Sequence, residues 1–321
     1  MAAPIAAIAA ARAWLARASA LVPAEDAIGI LAPPLLIAKI ARYALAPHKL
    51  RAPADDVDAR DEALIELLTP AFRALTRVWF RPRYVGLENV PERGAALLVG
   101  NHNGGLVPSD SFLTDLAIRD HFRPRGVSRA VYGLAHDLLF DDPTLRKYAQ
   151  RLGMLRAGHV GARRAFDRGA LVLVYPGSDY DAFRAFEDRD KVFLGGRVGF
   201  LQLAVRAQVP IVPVVSVGTH EQFIVLTRGD AIARRLNLHR WARTDVFPIA
   251  LTVPWGVVPA FVPYLPLPAQ TTIAFGPPLK WDVGPEAADD GEFLARAYEE
   301  VRATMQAMLD RLMVGRTPWL G

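Results

Sequence analysis

His102 and Asp110 are the two residues of this chain whose types and spacing best suit chemistry. They lie in the segment Val99-Gly100-Asn101-His102-Asn103-Gly104-Gly105-Leu106-Val107-Pro108-Ser109-Asp110, which leaves an apolar run and enters a helical pattern. An imidazole titrates near neutral pH and is the natural base for a hydroxyl. A carboxylate on its other nitrogen fixes the tautomer and supports the imidazolium. Asp110 supplies that carboxylate if the loop folds back. It can equally cap the following helix, and with two oxygens it can do both. Gly104 and Gly105 permit backbone shapes that other residues resist, and Pro108 stiffens the exit. Asn101, His102 and Asn103 then stand at the carboxyl end of a strand, where open α/β sheets bind ligands.

Other chemistries lack their residues. The chain contains no cysteine, which excludes disulfides, thiolate zinc sites, iron–sulfur clusters and a cysteine nucleophile. No Gly-x-Ser-x-Gly elbow occurs, so a covalent serine route lacks its usual signature. The acid-rich group His136, Asp137, Asp141 and Asp142 reads as loop and cap residues. Thr219-His220-Glu221 lacks the second histidine of a helical zinc site, and Gly195, Gly196 and Gly199 follow no strand. We therefore expect no metal and no resident cofactor.

The elements that must position His102 follow from periodicity. Of 321 residues 52% are hydrophobic and 22% charged, which excludes a disordered chain and leaves more apolar content than a core alone requires. Short apolar runs at Tyr84–Leu87, Ala95–Val99, Leu171–Tyr175, Ile211–Val217, Ala250–Val253 and Thr271–Phe275 read as buried strands. Helical spacing appears at Glu62–Phe80, Ser111–Arg119, Thr144–Leu152, Val160–Arg168, Val198–Ala207 and Asp289–Met313. The alternation predicts an α/β fold with a mostly parallel central sheet flanked by helices. The proline-rich stretch Pro254–Pro268 reads as an extended loop that either covers the core or dips into lipid.

Residues 1–51 differ in kind. Their apolar runs are broken at Arg12 and at Pro33-Pro34, too short to span a bilayer. Leu36–Ala46 is amphipathic and is followed by His48, Lys49 and Arg51. The pattern suits a helical arm packed on the domain or, as the resemblance described below favours, a helical, membrane-interacting segment, peripheral or monotopic, with residues 52–82 as linker and helix. The net charge of +5 and pI near 9.6 come from scattered basic residues, which suits an anionic membrane surface and not nucleic acid.

Four ordered blocks within Tyr84–Lys280 resemble the glycerolipid and lysophospholipid acyltransferases. The Asn-His segment resembles the family's catalytic His-to-Asp motif, and Gly153-Met154-Leu155-Arg156 its second block. Val174-Tyr175-Pro176-Gly177-Ser178 takes the place of the Phe-Pro-Glu-Gly block, and Val209-Pro210-Ile211-Val212-Pro213-Val214 resembles the fourth. Two departures stand out. Seven residues separate His102 from Asp110, longer than the family's spacing by a Gly-Gly-Leu insertion, and Gly177 stands where phosphate-acceptor enzymes carry glutamate. The continuation to Lys191, Arg197, Gly199 and Phe200 resembles the mono- and diacylglycerol acyltransferase-like branch and its bacterial relatives.

The resemblance implies that residues 83–321 form an acyltransferase domain at the cytoplasmic face of a membrane. There His102 takes the proton of an acceptor hydroxyl as it attacks an acyl thioester, with Asp110 orienting the ring. The donor is acyl-CoA or an acyl carrier protein, and the acceptor a glycerolipid or lysophospholipid. Asn101, Asn103, Gly104, Gly105, Tyr175, Pro176, Gly177 and Ser178 are then substrate-binding candidates. Arg156, Lys191 and Arg197 are candidates for the carrier's phosphates or the oxyanion. Two alternatives stay open, a lysophosphatidic acid acyltransferase and a lipid-binding protein that has lost catalysis through the longer loop.

Overall fold

The computed structural model describes residues 56–321 apart from Leu106, Arg243 and Pro263. The expected segment 1–51 and the start of the linker lie outside the described residues. A seven-stranded sheet contains β1 (Arg83–Val85), β2 (Ala96–Gly100), β3 (Val131–Ala135), β4 (Met154–Arg156), β5 (Leu171–Val174), β6 (Ile211–Val217) and β10 (Thr272–Phe275), in the order β1-β10-β6-β2-β5-β3-β4. The five strands from β6 to β4 run parallel, and β10 is antiparallel to β6. A separate antiparallel sheet joins β7 (Ile224–Thr227), β8 (Ile249–Thr252) and β9 (Gly256–Pro259).

The helices are α1 (Glu62–Trp79), α2 (Ser109–Phe122), α3 (Pro143–Arg151), α4 (His159–Asp167), α5 (Ser178–Ala182), α6 (Gly199–Ala207), α7 (Asp230–Arg235), α8 (Leu238–Ala242) and α9 (Gly291–Met313), with single turns at Leu138–Asp141 and Thr219–Gln222. Among the described residues no helix is long and apolar enough to cross a membrane.

Successive strand residues point to opposite faces, so each central strand feeds two cores. Leu97, Val99, Val172, Ile211 and Val215 pack against α4, α6 and α9. Ala96, Leu98, Leu173, Val212 and Val214 pack against Leu113, Ala117 and Ile118 of α2. Because both faces are covered, β2 and β6 are buried along their whole length and read as continuous apolar runs. Pro213 sits inside β6 although proline lacks the ladder donor. Its carbonyl accepts from the Gly276 N–H at 2.8 Å, one residue past the end of β10, so the missing donor faces the side where that ladder has stopped.

Several expectations shift. The strand expected over Tyr84–Leu87 ends at Val85 and turns into a short 3-10 helix. The strand expected at Ala250–Val253 lies in the small sheet, and the Pro254–Pro268 stretch contains β9 rather than only loop. Strands β3 and β4 carry no alternation long enough to announce them. The second block is β4 itself, at the sheet's edge.

The turn Thr219–Gln222 anchors the chain's end. Arg316, nearly buried, makes a two-pronged contact with the buried Glu221, whose carboxylate also accepts the Trp319 N–H at 2.7 Å. Glu221→Ala leaves a buried guanidinium without its counter-charge and is expected to cost about 3–5 kcal/mol of unfolding free energy, read by urea denaturation. A loss below about 1 kcal/mol, the range of exposed pairs, would contradict the buried pairing.

Candidate active site

Gly100 ends β2 and Val174 ends β5, its parallel neighbour. Residues leaving these ends meet outside the carboxyl edge of the sheet, the crevice where α/β sheets place ligands. Asn101 is the first. Its carboxamide is spent on β6, donating to the Ser216 carbonyl at 3.0 Å and accepting the Ser216 N–H at 2.8 Å. It extends the β2–β6 pairing by one side chain and so fixes where the next residue, His102, begins.

The long His-to-Asp spacing closes through a glycine turn. Gly104 and Gly105 have φ of +107° and +54°, and the Val107 N–H returns to the Gly104 carbonyl at 2.9 Å. A Cβ on Gly105 would stand 2.7 Å from the Phe223 ring, so glycine is required there twice over, for sign of φ and for space. The turn brings Asp110 back to His102, with Nδ1 and Oδ2 3.1 Å apart. The same oxygen accepts the Asn103 N–H at 3.0 Å, and Oδ1 accepts the Ser111 N–H at 2.7 Å.

Asp110 is therefore not the helix cap. Helix α2 begins at Ser109 with Pro108 in the cap position, and Asp110 lies inside the first turn, where a negative charge suits the helix dipole.

With Nδ1 engaged, Nε2 is the ring nitrogen left for a substrate, and the side chain keeps 15% of its surface exposed. Tyr175, just past β5, stacks on the imidazole with centroids 4.2 Å apart and planes 23° from parallel. Behind the ring the His102 N–H donates to the carboxylate of Asp181, a wholly buried residue in α5. Arg184 pairs with Asp181 at 3.3 Å and donates to His220 Nε2 at 2.7 Å. Burial, then the Arg184 charge, keeps His220 well below the ordinary histidine range, so the neutral ring accepts that bond.

Burial also acts on the other two groups. It raises Asp181 to about 6 against the pull of Arg184. It would lower His102, but the carboxylates of Asp110 and Asp181 outweigh it and the net shift is upward.

Residues 81–217 match the family model described as Acyltransferase. This stretch is an acyltransferase-family domain. An uncharacterised protein of Mycobacterium tuberculosis is 34% identical over 251 residues, covering 78% of this chain and 66% of its own; the chain thus spans just under two thirds of that relative. A Gallus gallus protein named DGAT1/2-independent enzyme synthesizing storage lipids is 30% identical over 172 residues, 53% of this chain and 48% of that one. The 1-acyl-sn-glycerophosphate acyltransferase PlsC from Thermotoga maritima superposes with a TM-score of 0.48 at 16% identity, over 89% of this chain and 97% of that chain.

Within this acyltransferase-family domain the third block wraps the His102 ring. Arg197 donates to the carbonyls of Pro176 and Gly177 at 3.0 and 3.1 Å, which makes it a clasp on the block. Ser178 follows with φ of +52° and its N–H on the Tyr175 carbonyl. A Cβ on Gly177 would lie 2.4 Å from both the Asp181 Cβ and the Phe193 carbonyl oxygen. A glutamate has no room at this position unless the backbone moves.

The other two basic candidates are each held by an acid. Arg156 ends β4, three strands across from β2, about 14 Å at ordinary strand spacing, and pairs with Asp137 at 3.1 Å. Lys191 is 62% exposed on a turn and pairs with Asp188 at 2.6 Å. The acids read as loop and cap residues take those roles, Asp142 capping α3 and Asp137 holding Arg156.

Three residues around His102 escaped the sequence reading. Asp181 and Arg184 follow the third block, Asp181 in the run Asp179-Tyr180-Asp181, whose acids were the available signal, and Arg184 three residues on. Tyr264 had none. Its hydroxyl donates to the Gly104 carbonyl and accepts the Val107 N–H at 3.2 Å, from 160 residues away. Asn103 is wholly buried, and its carboxamide makes no hydrogen bond among the described residues, a state that costs about 1–3 kcal/mol unless a ligand or water relieves it.

Proposed function

We propose that this chain transfers a fatty acyl group from an acyl thioester to the hydroxyl of a neutral glycerolipid at a membrane surface, with His102 as general base. The observation that carries the reading is the His102–Asp110 pair at 3.1 Å, which engages Nδ1 of a partly exposed ring and leaves Nε2 outside the pair. The acceptor oxygen attacks the thioester carbonyl as Nε2 takes its proton. Collapse of the tetrahedral intermediate breaks the C–S bond, and the departing sulfur takes the proton from the imidazolium. Asp110 holds Nδ1–H throughout, so the tautomer and ring orientation survive the cycle. Asn103 carries unspent N–H donors on the same turn, the kind of group that stabilises a developing oxyanion. The short His-to-Asp distance supports catalysis over a lipid-binding protein that has lost it.

Neutral acceptors are favoured over phosphorylated ones because Gly177 has no space for the glutamate of the phosphate-acceptor enzymes and because Arg156 is engaged by Asp137. The storage-lipid activity in the name of the Gallus gallus relative points the same way. The test is thiol release from long-chain acyl-CoA with monoacylglycerol, diacylglycerol and lysophosphatidic acid in parallel, with products identified by mass spectrometry. Ester formation on a neutral acceptor is expected. Preference for lysophosphatidic acid would favour the phosphate-acceptor reading instead, and no ester with acyl-CoA or acyl carrier protein would count against acyl transfer altogether.

The acid limb of the rate profile gives a separate prediction. His102 must be neutral to act as base, and its upward shift moves the fall in rate to higher pH than an ordinary histidine would give. Asp181→Asn removes one of the two carboxylates that raise His102 and leaves Asp110, Tyr175, His220 and the buried Arg184 cation. The limb in kcat/KM is expected to move to lower pH; an unmoved limb with a reduced plateau would assign Asp181 a purely packing role.

A further inference from the structure

The small sheet has two apolar faces. Val225, Ala250 and Val258 are cross-strand neighbours on one face. Val225 and Ala250 belong to the buried cluster with Phe183, Phe223 and Tyr264 that braces the glycine turn after His102. The opposite face should be polar if it met only water, since half-buried strands alternate. It is not. Ile224, Leu251 and Val257 are aligned there across the three strands. Val257 is 61% exposed and Trp255, at the β8–β9 turn, 51%. Leu226, Val253 and Leu265 are exposed as well, the last two bridged to each other.

The apolar surface continues beyond the sheet. The Trp79 indole at the end of α1 donates to the Pro266 carbonyl at 2.8 Å, tying α1 to the loop that carries Leu265 and Tyr264. Leu75 and Val78 of α1 are exposed, as are Val107 and Phe112 on either side of Asp110. Exposed apolar residues thus run from α1 past the catalytic turn to the sheet. The connection from β7 to β8 runs through α7 and α8, whose exposed residues include Arg234, Arg235, His239 and Arg240. Its acids Asp230 and Asp245 are paired with Arg228 and His239, which leaves the flank basic.

We propose that the outer face of β7–β8–β9 docks on an anionic lipid bilayer, Trp255 and Val257 entering the interface and the arginines of α7 and α8 meeting its headgroups. A lipid surface fits because an apolar face flanked by cations is what interfacial binding needs. This inference rests on the reading that the acceptor is a lipid and names the surface through which it reaches His102. With the inner face of the same sheet bracing the His102 turn, docking sets the crevice beside the bilayer.

The chain has no cysteine, so Val257→Cys supplies a single thiol for a polarity-sensitive fluorophore on the full-length protein. Val160→Cys, at an exposed position on α4, is the reference. On adding phosphatidylcholine vesicles that contain phosphatidylglycerol, the label at 257 is expected to shift to the blue and to escape iodide quenching. The label at 160 should not change, and phosphatidylcholine alone should give a weaker response. If the protein sediments with the vesicles while the label at 257 stays quenchable, the membrane meets another face and the proposal fails. It fails also if the label is shielded before vesicles are added, since the face is then covered by residues 1–55 or a second copy. Leu251→Glu with Val257→Glu should lower vesicle-bound protein several-fold and leave turnover of a detergent-dispersed acceptor unchanged. A chain that docks but transfers no acyl group would overturn the catalytic reading alone; one that turns over in detergent with no vesicle response at 257 would overturn the docking face alone.

Discussion

His102→Ala is expected to lower the rate of acyl transfer by about 10²–10⁴-fold, the usual contribution of a positioned general base. The fold should survive. The side chain is partly exposed, it stacks on Tyr175 without filling a core, and the backbone N–H that binds Asp181 is retained by alanine. Unfolding free energy should change by no more than about 1 kcal/mol, the range of substitutions away from core packing. The measurement is kcat beside thermal unfolding of the same preparation. A large fall in both would mean that His102 is a structural residue, and an unchanged kcat would remove it from the chemistry.

Asp110→Asn should cost nearly as much, for a different reason. The carboxylate accepts at both oxygens, from Asn103 N–H and His102 on one side and from Ser111 on the other. An amide has one accepting oxygen. If that oxygen faces Ser111, the NH₂ group confronts the Asn103 N–H and forces His102 to accept at Nδ1, which puts the ring proton on Nε2 and ends its use as a base. If it faces His102, the NH₂ group meets the Ser111 N–H instead. Either way one buried donor is left without an acceptor, at about 1–3 kcal/mol. We expect a fall of about 10³-fold in kcat or more, as wrong-tautomer substitutions give in serine hydrolases, with a modest loss of stability. Activity within a few fold of the parent would mean that Asp110 anchors the turn and does not set the tautomer.

What could be read from the residues alone was the part held together locally. The passage from Val99 to Asp110 declared a buried strand, a polar tip and a helix start, and the structure places them so. The apolar runs of β2, β5 and β6 were legible because both faces of the sheet are covered. Strands of three residues at an edge, such as β4, carry too little pattern for any period to register. The surroundings of His102 were hidden for a further reason. Asp181 reaches it across 79 residues and Tyr264 reaches Gly104 across 160, and a single buried hydrogen bond leaves no periodic trace. Charge type alone misled in one respect. Lys191 was a phosphate candidate by its chemistry, yet it is exposed and paired with Asp188. Arg197 was singled out with more justice, though it grips the third block's carbonyls.

Direct transfer to an acceptor hydroxyl by His102, with no acyl-enzyme, is put to the test by mixing the protein with long-chain acyl-CoA in the absence of acceptor. Free thiol and the intact protein mass are then followed before and after diacylglycerol is added. An unmodified protein and negligible thiol are expected at first, then one thiol per ester once acceptor is present, all of it abolished by His102→Ala. An acylated protein before acceptor is added, or thiol release that persists without His102, would contradict it.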